Sequence, residues 1–125
     1  MRTTTTVAQM LLRLFGVILI VLGIIFWTGN ALSLVNLHML IGVLFVLALW
    51  LLSGLAAAAH RSAGMVVLGF VWGIIVLALG MVQRGLMVGS AHWVIQVLHL
   101  LVGLAALGIG ERLAMMIKTA AVPAA

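Results

Sequence analysis

The chain has 125 residues, 67% of them hydrophobic and 6% charged, with a formal net charge of +5 and no cysteine. Water-soluble domains are nearer half apolar and a quarter charged, so this composition excludes a soluble fold and requires lipid as the solvent. The missing cysteines remove disulfides, thiolate metal sites, iron–sulfur ligation, covalent c-type haem attachment and cysteine nucleophiles. No nucleic-acid partner is expected either, because the six Lys and Arg are scattered at the ends of apolar runs rather than gathered in a patch.

Taken in order, four apolar runs each reach the ~20 residues that cross a bilayer. They cover roughly 7–28, 32–58, 63–83 and 90–109. Barrel strands alternate in polarity and are much shorter, so the continuous runs predict helices, which satisfy their backbone groups internally. The first run follows Arg2, contains Arg13 and continues to Trp27 without a small-x-small cleavage site, so it reads as a retained span rather than a signal peptide. The connections at 29–31, 60–62 and 84–89 are short. Short loops predict antiparallel neighbours, hence an all-α transmembrane four-helix bundle running up-down-up-down. Length predicts a single domain over 1–125. Residues 110–125 are expected to form a short cytoplasmic tail, disordered around Pro123.

Orientation follows from charge. One face would hold Arg2, Arg13, Arg61, Arg112 and Lys118, and the other only Arg84. The positive-inside rule then places both termini in the cytoplasm, with a bacterial inner membrane as the expected location. Trp27 and Trp93 fall at the outer ends of the first and fourth runs, where an aromatic belt sits.

The chain also repeats itself. Phe15-Gly16 and Gly23 in the first run match Trp72-Gly73 and Gly80 in the third, 57 residues on. Leu37-His38 and Gly42 match Leu98-His99 and Gly103 at a spacing of 61. Two tandem hairpins of this kind insert the same way up and are expected to be related by a pseudo-twofold axis along the membrane normal. Gly69 and Gly73 also form a GxxxG motif, a common surface for self-association.

That repeat turns two histidines into partners. Counted from the starts of their runs, His38 and His99 lie ~9 and ~14 Å below the outer surface. Two imidazoles at similar depth on symmetry-related helices are the donor set of bis-histidine haem b. The expected metal ligands are therefore His38 and His99. Gly42 and Gly103, one turn on and on the same helix face, would clear space beside each ring. Gly16, Gly23, Gly73 and Gly80 are expected to form smooth walls for a flat macrocycle, in a pocket otherwise lined with Leu, Val, Ile and Met. Asn36, Ser33 or Gln96 would satisfy the free ring N–H groups. Arg84 and His92 would lie near outward-pointing propionates.

The plainer readings stand beside this one. A membrane histidine also serves as interhelical glue, and a glycine as a close-packing surface. His92 and His60 read as solvated residues, Glu111-Arg112 as a neighbouring charge pair, and the eight Met as core or lipid-facing filler. The functional expectation is a small membrane b-type cytochrome, or the haem-bearing subunit of a redox complex, passing single electrons with quinone as a natural partner. Four-helix membrane cytochromes b have this architecture, but no family motif carries the likeness. The alternative is a pigment-binding subunit with a chlorophyll-type group, or a purely structural subunit without a cofactor, associating with other membrane subunits or with itself. A proton-coupled transporter fits less well, since the only acid is Glu111 at a helix end. Hydrolysis fares worse: no carboxylate pair exists, and Ser33 and Ser53 have no basic dyad.

Overall fold

In a computed structural model that describes residues 1–120, the chain folds into four long helices. They are α1 (Arg2–Trp27), α2 (Val35–Ala58), α3 (Ala63–Val82) and α4 (His92–Ala120), with 3₁₀ turns at Leu32–Leu34 and Gln83–Gly85. All four are long and apolar enough to span a membrane, and no strand occurs among the described residues. The all-α four-helix architecture expected from the apolar runs is the one observed.

Two boundaries differ from expectation. α1 begins at Arg2 rather than near Val7, although its first turns are threonines. Thr5 and Thr6 donate their hydroxyls to the carbonyls of Met1 and Arg2, so these poor helix formers are satisfied within the helix. α4 continues to Ala120, so most of the expected tail is helix. The reason is packing: Leu113, Ala114 and Ile117 are buried, and their spacing forms one helix face against the core. Residues 121–125, including Pro123, lie outside the described residues.

Two helix ends close in the same way. After α1, the Gly29 N–H donates to Phe26 O and the Asn30 N–H to Ile25 O, with Gly29 at φ +77°. After α2, the His60 N–H donates to Ala57 O and the Arg61 N–H to Ala56 O, with His60 at φ 51°. Both are Schellman closures, which require a left-handed residue just past the cap. Glycine fills that position without strain; histidine fills it at some cost. His60, expected to be a plain loop residue, therefore terminates a helix.

α2 is the central helix, packing on α1, α3 and α4, while α1 and α3 each also pack on α4. The dense core lies toward the end that carries both termini. It is built from Ala8 and Leu12 of α1, the second half of α2 from Phe45 to Ala56, and Ala106 to Ile117 of α4. Glycines permit the closest approaches there. A methyl group at Gly110 would run into Leu12, one at Gly69 into Ser53 Oγ, and one at Gly73 into Trp50. The GxxxG pair Gly69 and Gly73 is thus consumed inside the bundle, against α2, and is not a free dimerisation surface.

The repeat reappears as paired contacts. The Trp50 indole N–H of α2 donates to Phe70 O of α3 at 3.1 Å. The repeat-equivalent positions are Glu111 on α4 and Arg13 on α1, and these form a salt bridge. Chemically unrelated pairs join the same two seams at the same register, as a pseudo-twofold arrangement requires.

Candidate functional site: a histidine pair between α2 and α4

The two histidines meet across the α2–α4 diagonal, in the half of the bundle away from the start of α1. Their ring centroids are 6.4 Å apart, with planes inclined by 49°. The mismatch in depth closes mostly because α4 starts at His92 rather than near Ser90, and in smaller part because the chain enters α2 through a 3₁₀ turn. Three 3₁₀ residues at ~2.0 Å and three α residues at ~1.5 Å bring His38 about as deep as seven α residues bring His99, roughly 10 Å.

Each ring rests on a glycine of the preceding helix. A Cβ on Gly23 of α1 would stand 4.0 Å from His38 Cε1, and one on Gly80 of α3 would stand 3.5 Å from His99 Cε1. These are repeat-equivalent contacts, so Gly23 and Gly80 seat the imidazoles themselves. Phe26 adds an edge-on contact to His38, with centroids 5.5 Å apart. Gly42 and Gly103 face open space, with no atom within 4 Å of an added Cβ. Gly16 and Gly73 lie deeper and are closed off, Gly16 by Phe45 and Leu107, Gly73 by Trp50. Of the six glycines expected around a ligand, Gly23 and Gly80 touch the histidines, Gly42 and Gly103 face open space, and Gly16 and Gly73 belong to the core.

The Nδ1 atoms of both His38 and His99 are buried without a hydrogen-bond partner. Asn36, Ser33 and Gln96, the expected partners, supply none. An unsatisfied buried nitrogen costs about 1–3 kcal/mol, so two at symmetric positions call for an explanation beyond packing. His92 is engaged elsewhere: its Nδ1 lies 3.0 Å from Leu86 O and ties the third loop to the start of α4. Arg84 reaches over the first turns of α2 to Met39 Sδ at 3.8 Å. With Ser33 and Asn36 it lines a shallow cleft near His38.

With metal–imidazole nitrogen bonds of about 2.0–2.1 Å, and about 1.2 Å from nitrogen to ring centre, two imidazoles that share one metal can have centroids at most roughly 6.5 Å apart. The 6.4 Å separation lies within that reach. A haem held by two histidines asks only for two such rings, and a Cβ added at Gly42 or Gly103 would meet open space. No group of three or more His, Cys, Asp or Glu side chains suited to holding a metal occurs among the described residues, which sets a polydentate protein-only site aside.

A second polar cluster was not legible from the chain. Glu111 pairs with Arg13 across the α1–α4 seam, not with its neighbour Arg112. Arg13 Nε and Nη2 donate to Glu111 Oε1 and Oε2 at 2.6 and 2.7 Å. Gln9 Nε2 donates to Oε2 at 2.7 Å, and Lys118 Nζ donates to Gln9 Oε1 at 2.6 Å. Arg13 inside an apolar run was the available signal, since a charge there calls for a partner.

Comparison of the chain with models of protein families, with curated proteins and with solved structures gives no match.

Proposed function

We propose that the protein is a small membrane b-type cytochrome, or the haem-bearing subunit of a larger redox complex. The observation that carries this reading is the facing pair His38 and His99, 6.4 Å apart and each with an orphaned Nδ1. His38 and His99 would hold the haem iron. Haem b, when bound, supplies reversible one-electron chemistry. The chain's own part is to hold both imidazoles at one depth, seat them on Gly23 and Gly80, and keep water away with an aliphatic surround. Arg84 stands at the outer end, where its guanidinium favours carboxylates directed toward that surface. Quinone, which is lipid-soluble, is the natural redox partner. Both termini would face the cytoplasm of a bacterial inner membrane, as the clustering of cations at one end of the bundle supports.

A visible spectrum with and without dithionite tests the reading. The full chain, purified after expression with haem available, is expected to carry about one haem and show a sharp reduced α band. His38→Ala and His99→Ala should each abolish the low-spin signature; His92→Ala and His60→Ala should leave it. An unchanged spectrum in both His38→Ala and His99→Ala would rule the proposal out. Far-red absorption without reductant would instead indicate a chlorophyll-type pigment, with each histidine holding its own magnesium. A colourless protein would favour a structural accessory subunit.

A further inference from the structure

We infer that the α1–α4 seam at the termini-bearing end is a binding site for the anionic headgroup of a membrane phospholipid. The seam holds an open cleft of about 490 Å³. Arg2, Arg13 and Lys118 line it, with Glu111 as the one carboxylate. Three cations against one carboxylate leave a net charge of +2 at the cleft.

The hydrogen bonds show which groups remain free to bind. Glu111 is already engaged, since both its oxygens accept from Arg13 and one also accepts from Gln9. Its role is to fix Arg13 in place. Arg13 Nη1, two of the three Lys118 protons and the whole Arg2 guanidinium carry no side-chain hydrogen bond among the described residues. All of them are donors, and together they suit an acceptor-rich anion such as a phosphodiester. The N-terminus of α1 opens at the same place and adds a favourable dipole.

The cleft is also amphipathic. Arg13 is 58% exposed although it sits within a span, so it lies on the lipid-facing surface rather than in the core. Exposed Met10, Leu14 and Val17 of α1 and Met115 of α4 extend from it as apolar helix surface. A free phosphate has no use for that rim, whereas acyl chains do. Basic clefts between transmembrane helices at a cytoplasmic face recognise anionic lipids by this combination. This site is independent of the histidine pair, which lies in the opposite half of the bundle.

The test uses the full chain in neutral detergent. Phosphatidylglycerol and phosphatidylcholine of matched acyl chains are added separately, and bound lipid is read by native mass spectrometry. Phosphatidylglycerol is expected to half-saturate at a concentration on the order of tenfold lower, a few-fold per contributing cation. Arg2→Gln combined with Lys118→Gln keeps the Arg13–Glu111 bridge and should bring the preference below about twofold. Thr119→Glu, an exposed change at the cleft edge, should reduce it likewise and serves if the double variant is poorly folded. Arg84→Gln, at the other end, should leave it unaltered. Equal binding of both lipids, an equal loss in Arg84→Gln, or full displacement by millimolar inorganic phosphate would overturn the inference.

Discussion

At the residue scale, the glycines divide by what an added side chain would meet. Gly42 and Gly103 face empty space, so a larger side chain there is tolerated by the bundle itself. Gly42→Leu and Gly103→Leu are therefore expected to lower haem loading by several-fold while leaving the thermal midpoint nearly unchanged. Gly54→Leu, also at an open position, should alter neither. Equal loss of haem in all three variants, measured by the reduced α band per protein, would return these glycines to ordinary packing. Gly73 behaves in the opposite way. A methyl group there meets the Trp50 indole, so Gly73→Ala should destabilise the protein by about 1–3 kcal/mol, the usual cost of overpacking a close contact. Thermal unfolding in detergent, followed by circular dichroism, reads that loss. Position in the repeat alone did not separate the two classes: Gly16 and Gly23 share one helix, yet one is sealed by Phe45 and the other seats a histidine.

At the element scale, helix ends and helix seams decide what the runs leave open. The closure after α2 places His60 in the left-handed region, where an L side chain costs about 1–2 kcal/mol. His60→Gly is expected to raise stability by roughly 1 kcal/mol without affecting haem, since the backbone bonds of the closure are kept. A lowered melting midpoint would show that the His60 side chain contributes more than its backbone strain costs. The 3₁₀ entry at Leu32–Leu34 and the start of α4 at His92 together put His38 and His99 at a similar distance from their helix starts. Seams follow a similar logic. The α2–α3 seam is fastened by Trp50 on Phe70 O, and the α1–α4 seam by Arg13 on Glu111. Apolar periodicity marks neither, since each contact is made by polar groups set in otherwise apolar helices.

At the scale of the whole molecule, the four spans bring the start of α1 and the end of α4 together at one end, where Lys118 bonds to Gln9. Which side of the membrane that end faces is testable, because the chain lacks cysteine and single labels can be introduced cleanly. Asn30→Cys in intact cells is expected to react with a membrane-impermeant maleimide, while Ser62→Cys reacts only after lysis. The reverse pattern would invert the orientation.

The membrane class, the four helices and the pairing of His38 with His99 were all determined by the sequence, for one physical reason. Lipid permits few solutions, so long apolar runs become helices, short loops make them antiparallel, and an internal repeat aligns equivalent residues. Only the tertiary structure decided the rest. It extended α4 through Leu113, Ala114 and Ile117, because those side chains find a core to bury in. It turned Glu111 toward Arg13 instead of Arg112, because successive residues on a helix diverge while two packed helices can present charges face to face. It consumed Gly69 and Gly73 within the bundle and left Gly42 and Gly103 open. Aliphatic helices look alike in sequence, and which stripe of each meets a neighbour depends on rotations that only packing fixes.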